Sequence, residues 1–130
     1  LLCWKIRQGL NKKIAIGRIA GYARYFYTNR LIPHFETEER ELFPILGREH
    51  PLVKQATEEH ERLRHLFNLP QMSAEVLELI HQQLEKHIRF EERQLFQEIQ
   101  EVANPEQLGK IEHLHVMVPG TDDWTDEFWK

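Results

Sequence analysis

Two ten-residue stretches decide how this chain folds: His34-Phe-Glu-Thr-Glu38-Glu39-Arg40-Glu-Leu42-Phe43 and His87-Ile-Arg-Phe-Glu91-Glu92-Arg93-Gln-Leu95-Phe96. An offset of 53 residues superposes them with six identities in ten positions. In each copy the His and the first Glu are four residues apart, which on a helix puts them on one face, about 40° and one turn removed from each other. A single His-x-x-x-Glu is an ordinary surface pair. Two copies with the same flanks are not explained by solvated faces.

Outward from these stretches, Pro and Gly divide the chain into helix-length pieces, and no segment shows the β-branched alternation of a strand. The spacing predicts an all-α, antiparallel helical bundle forming a single domain over residues 1–130. A first helix ends over residues 1–8, stopped by Gly9. It opens on Leu1-Leu2-Cys3-Trp4 with no capping residue, so it reads as truncated at its N-terminus. A second runs from about Lys13 to Leu46, with a bend near Asn29-Arg30 where Pro33 deletes a hydrogen bond and crowds the preceding turn. A third spans Pro51 to Phe67. A fourth runs from the N-cap Ser73 to about Ala103. A short extra helix follows from Asn104-Pro105 to about His113, then a tail whose Trp124, Phe128 and Trp129 are expected to pack onto the bundle.

The helical faces are apolar except at the repeats. On the fourth helix Leu77, Ile80, Leu84, Ile88, Leu95 and Ile99 form a stripe interrupted by His87 and Glu91. On the second, Ala23, Tyr27, Leu31, Leu42 and Ile45 are interrupted by His34 and Glu38. On the third, His60 sits between Ala56 and Leu63 in a stripe that also holds Val53 and Phe67. A buried carboxylate must change protonation or find a cation. Two such Glu beside three His therefore read as metal ligands: His34, Glu38, His60, His87 and Glu91, a donor set suited to iron, zinc or manganese. An internally hydrogen-bonded polar core is the alternative. The repeat suggests both carboxylates bridging two ions, with each repeat His capping one. Glu39 and Glu92 lie about 100° around their helices and are expected to face Arg residues or water. Arg40 and Arg93 pair with these acids or sit in solvent. Leu42, Phe43, Leu95 and Phe96 are assigned to core. His50, His81, His113 and His115 have no helical partner at ligand spacing and read as surface or loop, and His65, about 140° around the helix from His60, does not replace it as a ligand.

Composition bounds the rest. Residues 1–35 carry seven Lys or Arg and no acid, against ten and twenty-one in residues 36–130. The basic residues are spread through apolar-patterned helix and form no run, so complementation within the bundle is expected, with no nucleic acid as partner. No apolar run approaches the ~18–20 residues of a membrane span, and no secretory signal is evident. One cysteine, Cys3, excludes an internal disulfide and reads as a buried thiol. A cytoplasmic location is expected.

At the motif residues, together with Pro44 and Glu59-His60, the sequence resembles the haemerythrin-like family of HHE cation-binding domains over essentially its whole length. The resemblance implies a four-helix bundle around two irons bridged by oxo or hydroxo and by carboxylates, with His34, Glu38, His60, His87 and Glu91 as ligands and Glu38 and Glu91 as bridges. It also implies a small diatomic partner such as dioxygen or nitric oxide. Two departures stand out: residues 1–33 contain no histidine where the family places one on the first helix, and Arg64 stands where oxygen carriers have a second histidine after His60. Binding or sensing of dioxygen, nitric oxide or iron is the leading expectation. An iron-dependent redox enzyme and a metal-stabilised interaction module are the alternatives.

Overall fold

The structure, a computed structural model, describes residues 2–109 and 125–130. Residues 2–109 are helical with short connections, residues 125–130 form no helix, and none of the described residues forms a strand. We number the helices α1 (Leu2–Asn11), α2 (residues 16–46), α3 (Pro51–Phe67) and α4 (residues 74–102), with one further turn over residues 105–109. Helix α1 packs on the first parts of α2 and α4, α3 packs along α4, and the last turn of α2 meets the end of α4. No helix among the described residues is long and apolar enough to cross a membrane.

Gly9 does not end α1. The chain turns three residues later, with Ile14 N–H donating to the Gly9 carbonyl at 3.0 Å and Lys13 N–H to that of Leu10 at 3.1 Å around Lys13 at φ 57°. This is a Schellman closure, with Lys13 in the left-handed position usually given to glycine. Gly9 serves packing instead, for a Cβ there would stand 2.8 Å from both Ile19 Cδ1 and Phe128 Cε2. At the other helix ends the expected signals operate. Gly47, at φ 92°, stops α2. Ser73 Oγ accepts from Val76 N–H at the start of α4. Asn104 and Gln107 cap the turn over 105–109 reciprocally. The expected continuation of that helix to His113, together with Trp124 and His115, lies outside the described residues.

Helices α2 and α4 are not uniformly α-helical. In α2, π-helical turns occupy Tyr27–Leu31 and Glu38–Leu42, each closed by an N–H bonding five residues back: Ile32 to Tyr27 and Phe43 to Glu38. The same turn occupies Glu91–Leu95 in α4, closed by Phe96 to Glu91. The irregularity expected from Pro33 is therefore a π-turn over Tyr27–Leu31. Pro44 follows the second turn at the same spacing as Pro33 follows the first, and a widened turn relieves the clash of a proline ring with the carbonyl four residues before it. Gln97 stands at the corresponding place after the third, so proline is not required there.

Buried side chains form two apolar clusters. One gathers Leu2, Ile6, Ile19, Tyr22, Phe35, Leu63, Leu77, Leu84 and Phe128; the other Leu42, Phe43, Val53, Ala56, Phe90, Leu95 and Ile99. Ile88, expected in the stripe of α4, is exposed instead, because it lies about 100° around the helix from His87. The tail packs as its aromatics suggested: Phe128 is buried, Trp129 lies against Tyr22 with ring centroids 5.1 Å apart, and Arg18 holds Asp126 at 2.6 and 2.8 Å. Lys5, unremarked in the sequence, is buried with its ammonium donating to Tyr22 Oη at 2.9 Å and lying 3.9 Å from the Trp129 ring centre. Cys3 is a buried free thiol, its pKa raised to about 11, chiefly by burial.

Candidate metal centre

Between the two apolar clusters lies a polar layer. Helix α2 passes from Phe35 in one cluster to Leu42 in the other through Glu38; α3 passes from Leu63 to Ala56 through His60; α4 passes from Leu84 to Phe90 through His87. Glu38, His60, His87 and Glu91 are all buried, and one donor atom from each lies within 4.8 Å of the others. These are four of the five residues expected as ligands.

The fifth, His34, is placed differently from its repeat partner. Its side chain is 53% exposed against 2% for His87, and its Nε2 stands 3.3 Å from Glu38 Oε1. Glu38 therefore has His34 on its outer side and His60 on its inner side, with His60 Nε2 at 3.5 Å from the same oxygen. On α4, His87 Nε2 approaches Glu91 Oε1 to 2.6 Å.

The inner histidines are held from behind. His60 Nδ1 is 2.7 Å from Glu39 Oε2 and His87 Nδ1 is 2.7 Å from Glu59 Oε1. An ionised carboxylate only accepts, so each Nδ1 carries a hydrogen and each Nε2 is left facing the interior. Those two Nε2 atoms are 3.1 Å apart. With both rings neutral, two lone pairs would oppose each other across that gap, a repulsion that a proton or a cation between the donors removes. Their spacing is that of two donors on one ion with bonds of about 2.0–2.1 Å. The expectation that each repeat His caps a separate ion thus meets a geometry in which His87 sits beside His60, with His34 on the far side of Glu38.

Electrostatics mark three of these residues, Glu38, His87 and Glu91. Burial, and then the neighbouring Glu91, pushes the Glu38 carboxyl well above the usual carboxylate range. Burial acts on Glu91 the same way, but the imidazoles of His60 and His87 beside it outweigh burial and hold its pKa low. Burial opposes charge on His87, yet Glu91 and Glu59 together raise its pKa. Without a metal the group thus retains protons in the interior. Even so, neither Glu38 oxygen, nor Glu91 Oε1, accepts a hydrogen bond. Buried acceptors without donors are costly, and a cation among them supplies what they lack. The donor set of two imidazoles and two carboxylates fits iron, zinc or manganese.

This electrostatic arrangement has a signed consequence for pH. In the metal-free protein Glu38 and His87 bind their protons more tightly than the unfolded chain does, whose values are near 4.5 and 6.5. Their contribution to stability is complete below those values and is lost as pH rises through the raised ones. Glu91 works in the opposite sense, contributing above the ordinary carboxylate range and failing only in acid. Metal-free protein is expected to melt at progressively lower temperature between about pH 6 and 8. Bound metal reverses the trend, because the ion replaces those protons. Melting curves in chelator and in excess metal check this, and a metal-free Tm that climbs over that range would contradict it.

Glu39 does face an arginine, as expected, but Arg64 and not Arg40, with contacts of 2.9 and 3.0 Å. Its pKa is lowered: burial opposes this, and Arg64 and His60 prevail. Glu92 is exposed. Arg40 lies on the surface 3.3 Å from Glu41, and Arg93 is exposed. Leu42, Phe43 and Leu95 are core, with Phe96 half-buried beside them. His65 is exposed, and His50 caps α3 by accepting from Leu52 N–H at 3.1 Å. His81, read as surface, is in fact buried; its Nε2 is 3.1 Å from Glu78 Oε2. It lies on the α4 face that also carries Leu77 and Leu84, which a test for ligand spacing alone passes over. A groove of about 760 Å³ is lined by Glu39, Phe43, Val53, Thr57 and Glu58.

Compared with protein-family models, curated proteins and solved structures, the chain gives no match. Its functional reading therefore rests on the residues themselves.

Proposed function

We propose that this chain is a haemerythrin-like, antiparallel four-helix bundle holding a non-haem di-iron centre that binds or senses a small diatomic ligand, dioxygen or nitric oxide. The observation that carries the reading is the buried group Glu38, His60, His87 and Glu91, whose carboxylate oxygens lack hydrogen-bond donors and whose imidazole nitrogens converge. The position of Glu38, with His34 on one side and His60 on the other, supports its role as a bridge between two ions. In such a centre His60, His87 and Glu91 would hold the group from the inner side and His34 from the outer side, with Glu38 between them. A pair of irons would supply reversible redox binding of the ligand. The chain's own part is to fix the donors, keep the inner side dry between two apolar clusters, and leave the His34 side open to solvent.

Arg64, standing where oxygen carriers have a second histidine, supports a centre with fewer imidazole ligands than an oxygen carrier's and more coordination positions left to a small ligand. It is turned to Glu39 and Glu61 and adds no donor to the group. Metal analysis of protein expressed with iron, together with its ultraviolet and visible spectrum, tests the reading. The expected result is about two irons per chain with a charge-transfer band. Metal-free protein under iron-replete expression, or unaltered iron content after replacing both His34 and His87 by Ala, would sink it.

A further inference from the structure

Each inner histidine is gripped at Nδ1 by a carboxylate from the neighbouring helix. Glu39 of α2 reaches His60 of α3, and Glu59 of α3 reaches His87 of α4, both at 2.7 Å. Each of these carboxylates has a further side-chain donor of its own. Arg64 Nη2 donates to both oxygens of Glu39 and is itself tied to Glu61 at 2.6 Å, while Gln55 Nε2 donates to Glu59 Oε2 at 3.0 Å. Both also adjoin a candidate ligand in sequence, Glu39 after Glu38 and Glu59 before His60.

Resting on the metal-centre reading above, we propose that Glu39 and Glu59 are positioning residues that fix the tautomer and rotation of His60 and His87, so that both Nε2 atoms face the ion site before any metal arrives. An imidazole free to turn over would present Nδ1–H inward half the time and would lose rotational freedom on binding. A ring already anchored avoids both costs. An ordinary interhelical ion pair would tie helices together at the surface. Here the acceptors instead meet the back of rings that are buried, one of them stacked on Phe35 with centroids 4.0 Å apart.

Two measurements on the full chain test this. Long-range proton–nitrogen NMR of metal-free protein, at a pH where both rings are neutral, is expected to find the hydrogen of His60 and of His87 on Nδ1. Zinc titrations should show binding weakened about 10–100-fold in Glu39→Ala and in Glu59→Ala, with helix content retained. Glu39→Gln and Glu59→Gln, which keep an acceptor oxygen, should recover part of the loss. Rings protonated on Nε2 in the wild type, or zinc binding indifferent to both Ala changes, would overturn the proposal. Should an Ala variant fail to fold, the wild-type tautomers and the Gln variants still decide it. Wild-type protein that takes up no zinc overturns the metal-centre reading itself; zinc uptake indifferent to both changes overturns only the positioning role.

Discussion

Alanine at His60 is expected to abolish the gain in stability that metal confers on this protein. A ligand that binds only the folded state stabilises it by about 4 kcal/mol when present at a thousand times its dissociation constant. For a chain of this length that is a Tm rise of roughly 10–20 °C. His60 is fully buried at the middle of the polar layer, between rings of Phe35 and Phe43 and beside His87. Removing it takes one donor from the group and leaves Glu39 with only Arg64 as an interior partner. The comparison to make is Tm with iron or zinc against Tm with chelator, in wild type and variant. Wild type should show the full rise and His60→Ala almost none. Because the variant also loses packing, Glu38→Gln provides the near-isosteric control: the raised pKa of Glu38 leaves it protonated in the metal-free protein, so the metal-free variant should melt close to the wild type, again without the rise. A variant that keeps the full metal-dependent shift would remove His60 from the ligand set.

The second large effect is expected far from that layer. Phe128→Ala should destabilise the protein by about 3–5 kcal/mol, the usual cost of emptying a buried phenylalanine site. Phe128 is 2% exposed, its ring stands edge-on to Tyr22 at 5.9 Å, and it closes the gap over Gly9. Neighbouring contacts only fasten the same strap: Arg18 with Asp126, and Lys12 Nζ with the Trp129 carbonyl at 3.0 Å. Those are exposed, so their loss should cost far less. Gly9→Ala probes the opposite error, overpacking, and should cost about 1–3 kcal/mol as Ile19 and Phe128 give way. Denaturant unfolding of the variants supplies the values. A Phe128→Ala midpoint equal to wild type would show that the strap adds nothing to the fold.

What could be read from the sequence was whatever repeats or has a period. The duplicated His-x-x-x-Glu, the inward His60, the limits of α3 and the cap at Ser73 each follow from a spacing or a residue type. What escaped depends on rotation between helices. Glu39 was placed about 100° from Glu38, and that direction is in fact toward α3, where His60 and Arg64 stand on one face, four residues apart. No single helix discloses that meeting. Glu59 adjoins His60 in the sequence, yet its reach to His87 on the next helix is equally invisible along one chain segment. Gly9 resembled a helix stop because glycine commonly is one, while its use here is set by Phe128, more than a hundred positions away. The exposure of His34 likewise breaks the symmetry of two nearly identical motifs, because burial belongs to the surroundings and not to the motif.

The π-turns bear on how this chain can change. A π-turn is an α-helix that has absorbed one extra residue locally, leaving the segments on either side in their former phase. Excision of a residue from the middle of a packed helix normally swings everything beyond it by about 100° and ruins the core. At Arg40 or Gln94, inside Glu38–Leu42 and Glu91–Leu95, the same deletion would let the turn relax to regular helix while the faces on both sides stay where they are. These turns are therefore the places where α2 and α4 can shorten by a residue, and homologous chains can differ in length there without changing their core.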